Sequence, residues 1–449
     1  MSSAPSTAEK ETRVGNSALH ILVVTGAYAP DRTGIAPLET ELCETLATRG
    51  HHVSVVTVWP HYPEWKVPRE YRDKLWMRES RGGVDVYRGA IYVPGRPARG
   101  GLRRILYDTS IGLSTALRGL PIRRVDLVLA VSPPLQAALA GWILALRGRA
   151  PLALHLQDLL PDLAIALGML RNRAAIGLAR ALERFLYRRA AAVFVASEGF
   201  RVNLLAKGVP DAKLAVVPNW TDTRAIGAGA LPGEFRPKHG IAKDDFLILH
   251  AGNLGAKQKL DNVLDAAAML REDASTVFCL VGGGAEKQRL QEIAVRRGLA
   301  NVRFLPLEPK ELLPDMLAAA DVLLVNQSAQ IVDMVVPSKL VTYMAAGRAV
   351  VAAVDAASEA ACAIGRARCG LVVPPENPAA LAAAITKLKS DRDLAAQFGR
   401  DGRRFAELHF DRALLLARFE DQLVSVVHGG AGAELECTPA AAVVHQIRR

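Results

Sequence analysis

Val336-Pro-Ser-Lys-Leu-Val-Thr-Tyr-Met-Ala-Ala-Gly347-Arg-Ala-Val350 reads as a short loop, a helix that stops at a glycine, and the start of an apolar strand. Ser338 is placed to cap that helix, the unpaired N–H groups of its first turn point outward, and Lys339 adds a positive charge at the same end. Such an end suits a phosphate group.

Outward from this stretch the chain resolves into two successive β/α series. The first opens with a strand at 20–25, passes through the loop from Gly26 to Gly34, and enters a helix over 36–49. Further strands are expected at 53–58, 127–130, 152–156, 192–196 and 214–217. The second series follows a glycine-rich linker at 227–233, with strands at 246–251, 276–281, 302–305, 322–325, 349–353 and 370–373. Short apolar strands alternating with amphipathic helices predict a parallel, doubly wound α/β sheet in each half. The 449 residues are too many for one core and suit two domains of roughly 200 residues each. The expected organisation is a disordered tail over 1–17, a Rossmann-like domain over 18–224 and a second one over 225–410. A helix over 411–427 is expected to pack back on the first domain, ahead of a disordered Gly/Ala-rich tail over 428–449.

No apolar run reaches the roughly 18 to 20 residues of a membrane span. The first ten residues lack the apolar core of a signal peptide, so a cytoplasmic location is expected. Cys43, Cys279, Cys362, Cys369 and Cys437 form no CxxC pair and no cluster at metal spacing, and most read as small buried hydrophobes.

Charge is unevenly placed. Residues 1–224 carry 30 Lys and Arg against 19 Asp and Glu, whereas residues 225–449 carry 26 of each, so the first half holds the whole net charge of +11. Such an excess attracts anionic surfaces. No helix-turn-helix, zinc finger or RNA-binding aromatic motif is present and aromatics are only 5% of the chain, which argues against nucleic acid. Two segments combine helical apolar spacing with arginines. Leu102, Ile105, Leu106, Leu113 and Leu117 run beside Arg103, Arg104 and Arg118; Leu178, Leu182, Phe185 and Leu186 run beside Arg180, Arg184 and Arg188. Each is either a core-facing stripe with a solvated basic edge or a surface for the inner face of the cytoplasmic membrane.

The motifs resemble family 4 of the nucleotide-sugar glycosyltransferases, and within it the colanic acid biosynthesis subgroup. The resemblance runs through Tyr28-Ala-Pro-Asp-Arg-Thr-Gly34, Tyr62-Pro-Glu-Trp65, His155-Leu-Gln-Asp158, Val217-Pro-Asn-Trp220, Gly252-Asn-Leu-Gly-Ala-Lys-Gln258, Val281-Gly-Gly-Gly284 and the Pro337-Ser-Lys loop. It covers roughly residues 20 to 425 and implies the GT-B fold, two Rossmann-like domains facing a cleft, with 18–224 on the acceptor side and 225–410 binding the nucleotide sugar. It further implies retaining transfer from a nucleotide diphosphate sugar to a glycan acceptor, lipid-linked, in exopolysaccharide biosynthesis. A nucleotide-sugar epimerase and a non-catalytic nucleotide-sugar-binding partner are the alternative readings.

Carried over residue by residue, the resemblance makes Gly34, Asn253, Lys257, Lys259, Gly283, Ser338 and Thr342 donor-binding, and His155, Gln157 and Asp158 acceptor-binding. Lys339, Asp333 and Asp158 become the catalytic candidates. The chain departs from the family in two places. Asn253 and Gln258 stand where an Arg and a Lys neutralise the diphosphate, and Met334 and Thr342 stand where an acidic pair flanks the loop, with Asp333 one residue early. No DxD motif placed for a metal-bound diphosphate appears, so neither metal nor other cofactor is expected; lysines and amide dipoles are left to stabilise the leaving group.

Overall fold

The computed structural model describes residues 18–429 except 32–33, 63, 96–100, 167, 228–232 and 330–336. The candidate Asp333, Met334 beside it, and both expected tails save His428 and Gly429 lie outside the described residues. The chain forms two compact units, one built from residues up to 195 with 204–216 and 416 onward, the other from 196–203 and 217–415.

Unit one holds eight strands: β1 (His20–Val24), β2 (His52–Val58), β3 (Trp76–Arg81), β4 (Val84–Gly89), β5 (Leu127–Ser132), β6 (Leu152–Leu156), β7 (Ala192–Val195) and β8 (Leu214–Val216). Their order is β3-β4-β2-β1-β5-β6-β7-β8. All neighbours pair in parallel except β3 with β4, a hairpin closed between Arg81 and Val84 by Gly82 and Gly83. Both glycines sit at positive φ, 55° and 80°, as a tight two-residue turn demands. This hairpin is absent from the strand series expected above, and it makes the sheet mixed.

Arg88 on β4 is buried. Its guanidinium donates to Glu79, to the Val58 carbonyl and to the Ala29 carbonyl, and so ties the loop after β1 to the end of β2. The helix Leu135–Gly148 lies against β5, and the helix Leu102–Gly119 lies in turn against Leu135–Gly148. Glycines set that spacing. A Cβ at Gly141 would stand 2.5 Å from the Ala130 Cβ, one at Gly112 2.7 Å from the Gln136 carbonyl oxygen, and one at Gly119 2.3 Å from a Leu144 methyl.

The two basic amphipathic segments part company here. On the helix Arg173–Arg189, Leu186 is buried and Leu182 and Phe185 are half-buried, with Phe185 edge-on to Trp142, whereas Leu178 is exposed; Arg180, Arg184 and Arg188 face solvent. That is mainly a core-facing stripe with a solvated edge. On Leu102–Gly119 the buried residues are Tyr107, Ile111, Gly112, Ser114, Thr115 and Gly119, and the leucines named from the sequence are exposed.

Unit two holds β9 (Phe246–Asn253), β10 (Thr276–Gly283), β11 (Val302–Leu305), β12 (Val322–Asn326), β13 (Ala349–Ala353) and β14 (Gly370–Val373), all parallel, in the order β11-β10-β9-β12-β13-β14. Both faces are covered, since Leu247 and Leu249 enter one apolar layer while Phe246 and Ile248 enter the other. Two stretches of chain are laced together at the edge of this unit, with Thr221 N–H donating to the Phe410 carbonyl at 3.0 Å and Arg412 N–H to the Thr221 carbonyl at 2.9 Å. The helix Arg412–Val427 then carries Phe419 against the rings of Phe194 and His155, and Glu420 against Arg49 and His51, all in unit one. Cys43, Cys279 and Cys369 are buried and Cys362 is exposed.

Because the Gln136 backbone cannot yield cheaply at Gly112, Gly112→Val should cost about 1–3 kcal/mol through overpacking. The expected signature is a fall of several degrees in the first melting transition by calorimetry. An unchanged melting profile would show that the two helices are not held by this contact.

Candidate active site

In a doubly wound sheet, ligands bind past the carboxyl ends of the strands where the order reverses. In unit two that point lies between β9 and β12. Their ladder pairs only Val322 with Ile248 and Leu323 with Leu249. Beyond it, the Leu324 carbonyl is met by the His250 ring instead, with Nδ1 at 3.3 Å. A carbonyl only accepts, so Nδ1 carries the proton and Nε2 presents a lone pair. The Lys339 Nζ stands 3.3 Å from that Nε2.

This placement corrects the reading of Lys339 as an outward charge. The amine folds back against β9, and burial alone lowers its pKa to about 7. His250 is fully buried, and burial followed by the neighbouring amine keeps its imidazole neutral. Ser338 is also corrected. Pro337 is the N-cap residue of the helix Ser338–Ala345, no side chain caps it, and Ser338 is an exposed first helical residue. Tyr343, one turn on from Lys339, is buried; it accepts from Ala251 N–H at 2.8 Å and donates to the Ala251 carbonyl at 3.3 Å. Thr342 is half-buried on the same helix.

Main chain forms the adjoining wall. Gly252, Gly282 and Gly284 have φ of 129°, 141° and 153°. A Cβ at Gly282 would stand 1.9 Å from the Gly252 carbonyl oxygen and one at Gly284 2.4 Å from that of Leu254, so only glycine fits. Gly283 between them is exposed, and its carbonyl accepts from Leu254 N–H at 2.8 Å. A Cβ at Gly252 would come within 3.5 Å of the Lys339 Nζ. Asn253, in place of the family's arginine, lies against this turn, its Oδ1 2.6 Å from the point a Gly284 Cβ would take.

The segment bearing Lys257 and Lys259 is pinned to the end of β12. Buried Asn326 donates to the carbonyls of Gln258 at 2.7 Å and Lys259 at 3.0 Å, and accepts from Asn262 at 2.8 Å. Lys259 reaches Glu376 at 4.0 Å, an exposed pair of little energetic weight. Lys257 is half-buried and has no carboxylate partner among the described residues.

The unit-one candidates do not form one site. Gly34 is exposed at φ 69°, beside the Tyr62 ring. His155, expected to face a cleft, is fully buried. Its Nδ1 lies 3.1 Å from the Glu39 carboxylate, within ion-pair reach though without hydrogen-bond angles, and Gln157 sits 2.9 Å from its Nε2. A polar cluster closed over by Phe419 holds β6 in place and is out of reach of an acceptor. Asp158, on the bend past β6, is half-buried and engaged within the fold. Sequence reasoning missed His250 and Asn326, whose signal was a lone polar side chain at the end of each apolar strand.

Two doubly wound units, with a glycine-walled crevice and a buried amine at the switch point of the second, define a GT-B transferase. The chain belongs to the glycosyltransferases of group 1, with a 4-like first domain: residues 33–220 match the glycosyl transferase 4-like domain and residues 233–405 match glycosyl transferases group 1. It is 33% identical over 412 residues, 89% of this chain and 98% of the relative, to a protein of Escherichia coli (strain K12) named as the colanic acid biosynthesis glycosyl transferase WcaI. Among solved structures, a sucrose-phosphate synthase from Thermosynechococcus elongatus aligns with a TM-score of 0.70 at 18% identity, covering 92% of this chain and all of that one. The Anabaena protein HepE, in complex with UDP, aligns with a TM-score of 0.68 at 18% identity, covering 91% of this chain and all of that one. At such identity these likenesses concern the fold alone.

The Lys339 amine should make anion binding at the crevice depend on pH. Below about pH 7 it is protonated; above that, an anion must restore the proton, so affinity falls by at most about tenfold per pH unit. Calorimetric titration with UDP between about pH 7 and 9 should show this weakening, and Lys339→Arg, which keeps its proton, should lose it. A pH-independent Kd in the unaltered chain would mean that the amine does not meet the ligand.

Proposed function

We propose that this chain moves a sugar from a nucleotide diphosphate sugar to a growing lipid-linked glycan, with retention of configuration, in exopolysaccharide biosynthesis. The observation that carries the donor half is the Lys339 amine at the switch-point crevice beside Gly252 on β9 and Gly282 and Gly284 at the end of β10. UDP bound to HepE and the biosynthetic role in the Escherichia coli relative's name support the same reading.

In this reading the diphosphate lies on the N–H groups that open the helix Ser338–Ala345 and draws the Lys339 amine off His250. The bond from the sugar C1 to the phosphate oxygen breaks with its electron pair on the phosphate. The acceptor hydroxyl attacks from the same face, and its proton passes to the departing phosphate. Charge on the leaving group grows along this path, so an ammonium beside it acts most strongly in the transition state. Lys257 and Lys259 supply the further positive charge, Lys257 with no carboxylate partner among the described residues and Lys259 in only a weak exposed pair with Glu376. Gly34 lets main chain approach the donor phosphate, Asn253 and Gly283 shape the turn, and Ser338 and Thr342 offer hydroxyls to phosphate and ribose. Asp333, one residue early in the sequence, takes the role of the family's first acid, and Asp158 orients the acceptor. The burial of His155 and Gln157 withdraws them from direct acceptor contact. The basic first half of the chain supports a reaction on the inner face of the cytoplasmic membrane, where a lipid-linked acceptor would reside. No metal or cofactor takes part, and nucleic acid is not a partner.

Thermal shift against UDP-, GDP- and ADP-sugars should pick out one nucleotide class, since binding to the folded state raises its melting point. Transfer from that donor should survive excess chelator; a magnesium-reversible loss would overturn neutralisation by lysines alone. Lys339→Ala should lower kcat on the order of 10²-fold with a smaller rise in donor KM, and Lys339→Arg should recover part of it. Near-normal turnover in a folded Lys339→Ala chain would remove the residue from the reaction.

A further inference from the structure

The helix Leu102–Gly119 wears its apolar stripe on the outside. Its inner face carries Tyr107 and Ile111, clustered with Val58 and Ala137, beside the small Gly112, Ser114, Thr115 and Gly119, and closes onto Leu135–Gly148 through Gly112 and Gly119. The outer line runs Leu102, Leu106, Thr109, Leu113, Leu117 and on to Leu120, one residue every three or four, with Ile105 beside it. These six aliphatic side chains are between 37% and 70% exposed. Together they form a contiguous ridge about 27 Å long. A patch of this kind on a soluble surface marks an interaction site.

Two further features say what covers it. Leu75 and Trp76, at the edge strand β3, are 70% and 63% exposed, and the Arg118 guanidinium lies 5.8 Å from the Trp76 ring centre, which sets the indole beside the C-terminal half of the ridge. Cations frame both ends. Arg103 is exposed at the start of the helix, Arg123 and Arg124 are exposed just past its end, and Arg147 donates to the Leu120 carbonyl. The outer line carries no acid, and Asp108 is turned inward against Arg104. An antiparallel self-pairing of two such helices would bring arginine against arginine, which disfavours a second copy as the occupant. Aliphatic ridge, flanking indole and arginines at the rim instead match the interface of a bilayer with anionic headgroups.

We propose that the Leu102–Leu120 face is a membrane-insertion surface. Its leucines lie among the upper acyl chains of an anionic bilayer, Trp76 lies at headgroup level, and Arg103, Arg118, Arg123 and Arg124 meet lipid phosphates. The proposal deepens the membrane part of the proposed function and rests on it, though not on the chemistry of transfer.

The test is flotation of the full chain with vesicles of phosphatidylcholine containing phosphatidylglycerol, and with phosphatidylcholine alone. Binding should need the anionic lipid and weaken between 0.1 M and 1 M salt as screening rises. Leu113→Ser with Leu117→Ser should reduce the bound fraction about tenfold or more, with an unchanged melting profile because both side chains point outward. The solvated row Arg180, Arg184 and Arg188, changed to Gln, should bind as before. Emission from Trp76, isolated by difference from Trp76→Phe, should shift to the blue on anionic vesicles. Undiminished binding by the double Leu variant, or loss on changing the Arg180 row alone, would overturn the assignment. So would an absence of binding, including the case in which the chain self-associates in solution and the double Leu variant does not. Sugar transfer assayed on the same preparations separates the two readings, since vesicle binding without transfer sinks only the reaction and transfer without binding sinks only the surface.

Discussion

Two nitrogens that would each carry a proton in acidic water, His250 Nε2 and Lys339 Nζ, are buried 3.3 Å apart, and both cannot be charged there. The geometry of unit two's binding edge follows from that constraint. The imidazole stays neutral because burial and then the Lys339 amine disfavour a second proton, against the pull of the Leu324 carbonyl, which takes the Nδ1–H where the β9–β12 ladder has ended. It therefore offers a lone pair to the lysine and keeps the crevice open with a side chain where a backbone bond would have closed it. Gly252 leaves room for the amine, and Asn326 holds the opposite lip through two carbonyls. The site is thus prepared with a charge that an incoming anion can complete.

The alternation of strands and helices was legible because nearly every strand is a short apolar run buried on both faces and bounded by a turn. The β3–β4 hairpin escaped because Trp76-Met-Arg-Glu-Ser-Arg81 is polar and mostly exposed at a sheet edge; its readable sign was Gly82-Gly83 followed by the alternation of Val84 and Val86. The loop at Pro337-Ser-Lys was found, but not the direction of Lys339, because burial of one amine is decided by residues on β9. His155 shows the same limit from the other side. A strand-end position is visible in sequence, whereas the Glu39 carboxylate and the Phe419 ring that enclose it come from 116 residues before and 264 after.

Periodicity left the helix Leu102–Gly119 open between core and surface, although a leucine stripe is ordinarily assigned to the core. Helix packing rewards close approach as well as apolar area, and Gly112, Ser114, Thr115 and Gly119 supply that approach. The helix Arg173–Arg189 has a similar pattern and mostly the opposite outcome, since Phe185 meets the Trp142 ring, Leu186 is buried and Leu182 half-buried. A hydrophobic period identifies a stripe; the small residues opposite it decide which way it turns.

The return of the chain to unit one after residue 415 has a consequence for synthesis. A ribosome releases the eight strands of unit one first, yet the ring of Phe419 that covers His155 and Phe194 is made only after all of unit two. The first unit thus waits, with an uncovered seam over its buried Glu39–His155 pair, until the second has been translated. Domains generally fold as they emerge. Here the earlier one is finished by the later end of the same polypeptide, so an mRNA truncated within unit two would leave both units flawed, the first lacking its cover and the second lacking its edge.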